Sequence, residues 1–199
     1  GGRCAKVLLT YAEALTDNRF SKGNRDEIEG KSIFGRTDVL MADGSRGQEY
    51  TASFYRTFRY VQVAVETQDE PLEIADIRST FVGFPFEMRA RLDTRDETMQ
   101  RILEVGWRTA RLCAVETYMD CPYYEQLQYG GDARIQELVS LFNAGDPRLL
   151  RNLLDQMDHS RQPEGITQSR YPSVNPQIIP TYSMAYIWML HDYMMYVDD

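Results

Sequence analysis

The feature that most constrains the fold of this chain is a change of hydrophobic period near residue 92. Before it, short runs rich in β-branched and aromatic residues alternate with polar turns. Ala5 to Tyr11 reads as a strand, Ser21 to Gly30 as a loop, and Thr37 to Met41 leads into a hairpin-type Asp43-Gly44 turn. Thr57 to Val65 places Val61, Val63 and Val65 on one face, the pattern of a half-buried strand. Leu72 to Val82 reads as a further strand, with Pro71 at its start, where a missing N–H is tolerated. Several short strands with frequent turns predict an antiparallel β-sandwich.

After Leu92 the period becomes helical. Thr94 and Glu97 have capping-box spacing, and Met99, Ile102, Leu103, Gly106, Ala110, Cys113 and Ala114 follow at helical steps. A second helix is expected from Asp132 to Gly145, with Ile135, Leu138, Val139 and Phe142 as its apolar face. A third begins at Asp146-Pro147 and carries Leu149, Leu150, Leu153, Leu154 and Met157. Residues 159–180 form a long loop with four prolines, and Thr181 to Val197 is a fourth helix. Strands followed by helices argue for an α+β chain of two domains, 1–92 and 93–199.

Charge narrows the class of partner. Residues 1–92 carry 13 basic and 14 acidic side chains, whereas residues 93–199 carry 9 and 16. An acidic helical half argues against binding a phosphate backbone and fits a neutral, hydroxyl-rich partner such as a sugar. The three cysteines, Cys4, Cys113 and Cys121, have no metal spacing and are expected to be free thiols, mostly packed. Neither His159 nor His191 has a partner at ligand spacing, so no metal or other cofactor is expected. His191 reads as a structural histidine in an apolar helix, and the aromatic cluster from Tyr182 to Tyr196 as helix packing. No apolar run is long enough to span a membrane. Arg56 and Arg59 flank a strand and are expected to pair with acids.

Residues 120–132, DCPYYEQLQYGGD, set three carboxylates and three tyrosines in thirteen positions. Two of the acids have structural explanations. Asp132 can cap the helix that follows, and Asp120 can bond the backbone around Pro122. Cys121 reads as a small buried apolar residue. Glu125 has no Lys or Arg three or four positions away, and its neighbours are Tyr123, Tyr124, Leu127 and Tyr129. A carboxyl among rings is desolvated, which favours the protonated form that a general acid needs. The tyrosines offer flat faces and hydroxyls to a sugar.

This stretch, with Ala133-Arg134-Ile135-Gln136 after it, resembles the signature loop of bacterial α-L-rhamnosidases, a family of glycoside hydrolases. Thr57-Phe58-Arg59-Tyr60, Ser169-Arg170-Tyr171-Pro172-Ser173 and Ile179-Pro180-Thr181-Tyr182-Ser183 resemble further segments of that family. The resemblance implies a β-sandwich followed by the first helices of an (α/α)6 barrel, and inverting removal of terminal α-L-rhamnose from glycans. It makes Glu125 the general acid and gives sugar hydroxyls to Asp120 and Asp132. Tyr129 stands where the family often has a stacking Trp, and Tyr124 where many members have Arg. The general base would lie in a later loop, beyond these residues, so the segment alone is expected to hydrolyse nothing. By analogy the enzyme would be periplasmic or extracellular. The alternative is a non-catalytic module that binds carbohydrate or a partner chain.

Overall fold

A computed structural model describes residues 2–17 and 20–197. The chain divides into two compact units, Gly1–Thr80 and Phe81–Asp199. The first holds three antiparallel strands, β1 (Lys6–Ala12), β2 (Arg36–Met41) and β3 (Tyr60–Glu66), in the order β2-β1-β3. β1 is central because both other strands pair with it, and its Val7, Tyr11 and Ala12 are buried, while both flanking strands face water along most of their length. Lys6 pairs with Met41 on one side and with Glu66 on the other. Arg56 forms an ion pair with Asp38 at 2.7 Å, and Arg59 pairs with Asp26, as their positions beside a strand suggest.

Three strand expectations change. Val61, Val63 and Val65 are exposed, because β3 is an edge strand and no second layer covers it among the described residues. Asp43-Gly44 turns the chain, with the Ser45 amide donating to Asp43 at 2.7 Å, but joins no hairpin, since β2 and β3 both pair with β1. Leu72 to Val82 forms no strand; Ile74, Ile77, Phe81 and Val82 are exposed, and no neighbouring strand supplies a ladder. Among the described residues the sheet is thus a single three-stranded layer.

The second unit is helical: α1 (Glu97–Leu112), α2 (Gly130–Ala144), α3 (Arg148–His159) and α4 (Pro180–Tyr196). Its core joins Phe86, Ala114, Tyr118, Ala133, Leu141, Leu149, Leu150, Leu153, Leu154, Met157 and Met189. Each buried leucine contributes about 1.5–3 kcal/mol. The unit begins before its first helix because residues ahead of α1 are stitched to it. The Phe84 amide donates to the Ala114 carbonyl at 2.8 Å, and those of Arg89 and Ala90 to the Asn143 carbonyl.

The helix ends follow their chemistry, with adjustments. Asp96 caps α1 instead of Thr94, accepting from the Thr98 and Met99 amides at 2.9 and 3.3 Å; Thr94 Oγ accepts from the Asp96 amide. Asp96 wins because an Asx side chain reaches two amides of the first turn. α2 closes on Gly145, whose φ of 65° is the left-handed conformation that glycine adopts without strain. α3 buries all five residues expected of it. α4 starts on Pro180 at its first position, after an extended Ile179.

The buried faces of three helices differ from expectation. α1 buries no residue, and Met99, Ile102, Val105 and Leu112 are exposed. On α2 the buried face is Ala133, Glu137, Ser140, Leu141 and Ala144, while Ile135 and Phe142 face water. On α4, Tyr186 and Tyr193 pack against the core, but Trp188 and Tyr196 are exposed, and so is His191. Of the cysteines, Cys113 is buried, Cys121 half-buried and Cys4 exposed, all as free thiols. Among the described residues no helix is long and apolar enough to cross a membrane.

Candidate active site

The loop of residues 120–129 runs into the first turn of α2 and is closed at its base by Asp120. The Leu127 amide donates to Asp120 Oδ1 at 2.9 Å, and the Asp120 amide donates to the Leu127 carbonyl at 2.9 Å. The aspartate therefore spans the whole loop, not the local turn at Pro122, because the chain doubles back. Gln126 lies at a φ of 58°, and its side chain donates to the Pro122 carbonyl at 3.0 Å, which holds the reversal. Gln128, 2% exposed, anchors the far side: it accepts from the Tyr118 amide and donates to Gln156 at 2.7 Å and to the Tyr171 carbonyl at 2.9 Å.

Glu125 is exposed on this loop, not enclosed by rings as its neighbours suggest. A short loop that reverses direction turns some side chains outward whatever their neighbours are. Its carboxylate is nevertheless held. The Tyr129 hydroxyl donates to Glu125 Oε2 at 2.8 Å, and Arg170 Nη1 donates to the Tyr129 hydroxyl at 2.8 Å. The Arg170 guanidinium also lies over the Tyr129 ring at 5.5 Å. Burial and the bond to Glu125 push the Tyr129 phenol above its ordinary pKa, so it stays protonated and a donor.

Tyr129 meets Tyr182 edge-on, with ring centroids 6.1 Å apart. The Tyr182 hydroxyl points to Asp132 Oδ2 at 3.4 Å, and burial raises its pKa, with Asp132 adding to the effect. The glycine pair makes this approach possible. A Cβ at Gly131 would stand 2.5 Å from the Tyr182 ring, and the Gly130 amide donates to the Ser169 carbonyl at 2.9 Å. Asp132 sits in the first turn of α2, whose cap position is Tyr129, so it favours the positive helix end without capping it. Tyr124 is exposed, its ring edge-on to Tyr123 at 4.8 Å.

The fold thus joins Glu125, Tyr129 and Asp132 through two residues outside the sequence-derived set, Arg170 and Tyr182. Both fall in the segments 169–173 and 179–183 that resemble the family, so a signal for them was present. Gln128 had none, since a buried amide has no marker in composition. Among the described residues no group of three or more His, Cys, Asp or Glu could hold a metal ion.

The model of the bacterial α-L-rhamnosidase six-hairpin glycosidase domain matches residues 87–199, more than half of the chain. The chain belongs to this family. Three solved structures resemble it in fold. A GH78-family rhamnosidase of Bacillus sp. GL1 has a TM-score of 0.69 at 19% identity over 96% of this chain. A rhamnosidase from Klebsiella oxytoca with rhamnose bound gives 0.68 at 21% over 98%. An α-L-rhamnosidase from Dictyoglomus thermophilum gives 0.67 at 21% over 97%. The chain spans only 19%, 39% and 23% of those three chains. No curated protein sequence matches significantly. The region matched by the family model contains the whole loop and both supporting segments.

Proposed function

We propose that this chain supplies the acid side of the active site in an inverting glycoside hydrolase that removes terminal α-L-rhamnose from glycans. The observation that carries the reading is the chain of hydrogen bonds from Arg170 through Tyr129 to Glu125, built inside the family's loop. Glu125 is the general acid. With Oε2 occupied as an acceptor, Oε1 is the oxygen left to carry the proton to the departing glycosidic oxygen. An exposed carboxyl is open to a leaving group, and a sugar bound over it excludes water at the moment of transfer. Tyr129 and Arg170 are positioning residues. Asp120 and Asp132 each use one oxygen within the chain, and a carboxylate has acceptor sites for about four hydrogen bonds, enough to take sugar hydroxyls as well. Tyr124 offers an exposed ring to the substrate. The general base, about 6.5–9.5 Å from the acid in an inverting site, comes from a part of the enzyme beyond these residues.

A panel of aryl glycosides tests the reading. The full-length enzyme should cleave the α-L-rhamnoside, and Glu125→Gln should lower its kcat by about 10²–10⁴ with the fold unchanged by circular dichroism. The 199-residue chain alone should give no turnover. Near-normal activity of Glu125→Gln would remove Glu125 from the role. The alternative, a binding module, would show sugar binding without cleavage in the full-length protein too.

A further inference from the structure

The most unusual group in the helical unit is not on the loop. Glu137, in the middle of α2, is 0% exposed, yet neither of its carboxyl oxygens has a hydrogen-bond partner. It faces Asp192 of α4, itself 5% exposed, at hydrogen-bonding range. Two ionised carboxylates have no proton to share, which is why Asp192 Oδ2 also lacks a donor. Arg134, one turn before Glu137, lies 3.1 Å from that same oxygen as an ion pair without hydrogen-bond geometry, and rests over the Trp188 ring at 5.2 Å. Two other ionisable groups border the cluster. Tyr118, bonded to Ser140 at 2.6 Å, feels the charge of Glu137, and His191 touches Asp192 Oδ1 at 3.4 Å from the solvent side.

We propose that Glu137 and Asp192 form a buried proton-binding site that fastens α2 to α4. One proton is held between the two carboxyl groups, and Arg134 balances the remaining negative charge. Protonation gives Glu137 an O–H to donate to Asp192, which engages one orphaned oxygen on each side, and the cluster becomes neutral overall. Loss of the proton leaves two negative charges against one positive charge in a site closed to water. Burial first, then the charge of Asp192, raises the Glu137 pKa to about 8, so the proton stays bound at neutral pH and leaves in mildly alkaline solution. α2 and α4 also carry Asp132 and Tyr182, so the same fastening sets the spacing of the candidate site.

The test is unfolding of the protein in urea at a series of pH values, followed by Trp fluorescence. Both tryptophans, Trp107 and Trp188, belong to the helical unit. The folded state holds the proton more tightly than the unfolded chain. The stabilisation is therefore complete below the ordinary carboxylate range and is lost as pH rises toward about 8, with the unfolding constant growing by up to tenfold per pH unit. Glu137→Gln should remove one proton's worth of this slope, because its amide donates to Asp192 at every pH. An unchanged slope overturns the proposal. Should Glu137→Gln fail to fold, carbon NMR of the wild-type carboxyl groups decides instead. One glutamate should titrate near 8, with its midpoint moved lower by Asp192→Asn. Absence of any carboxyl titrating above neutrality also overturns the proposal.

Discussion

Glu125 and Glu137 stand twelve positions apart, one on the loop and one on the helix after it, and each occupies the surroundings that its sequence context suggests for the other. Glu125 has rings on both sides in the chain and lies in water, held by one tyrosine. Glu137 stands three places from Arg134, the spacing of a surface ion pair on a helix, and is fully enclosed. Arg134 turns instead to Asp192 of another helix. Burial is settled by which face of an element meets the core. On α2 that face holds Ala133, Ser140, Leu141 and Ala144, all buried, with Glu137 among them.

The strongest way to break this contrast is to make one substitution at both positions. Glu137→Lys sets an ammonium beside Arg134 in a closed site and should cost about 3–5 kcal/mol in urea unfolding. Glu125→Lys should stay within about 0.5 kcal/mol, as surface changes do. Equal losses at the two positions would contradict the burial difference. Next in size is Tyr129→Phe, which strips the donor from Glu125 and the acceptor from Arg170. About 1 kcal/mol of stability should go, measured by thermal melting. In the full-length enzyme kcat should fall about tenfold with little change in KM, since orientation and not sugar contact is lost.

The smallest effect sharpens the contrast by sign. The hydrogen bond from Arg148 holds the Asp146 carboxyl below its ordinary pKa, with burial opposing. Its stabilisation is present above the ordinary carboxylate range and is lost as pH falls through the lowered value, the reverse of Glu137. Arg148→Gln should make the acid limb of the stability profile shallower and leave the alkaline limb untouched. Added salt should weaken the difference, because Arg148 faces solvent.

Much of the helical unit was legible in the sequence. The leucine spacing of α3, the glycine stop of α2 and the proline start of α4 are local signals with one dominant physical cause each. The faces of α1, α2 and α4 were less so, because an apolar stripe states that a helix wants a partner without saying where one is. α1 shows this most clearly, with Met99, Ile102 and Val105 at helical spacing and all in water. Leu72–Val82 forms no strand for a related reason: β-propensity needs a neighbouring ladder, and sequence does not supply one. At the candidate site, Glu125, Tyr129 and Asp132 lie within eight positions of one another, so their nearness is legible in the sequence. Arg170 and Tyr182 reach it from 41 and 50 residues further along, a proximity that only folding creates.

The stretch between α3 and α4 contains no helix or strand, yet its backbone is fastened along its length. Gln162 bonds Ile166, Gln168 bonds Ser160, Ser169 bonds Gln177, and Thr167 is tied to Ser183. Irregular shape and looseness are separate properties. Deuterium should enter the amides of Gln162, Gln168 and Ser169 about as slowly as those of the neighbouring helices, and a protease should find no ready cut beside Ser169. Arg170 is carried by this stretch, so the grip on the acid inherits its stiffness from a segment that looks, in outline, like slack.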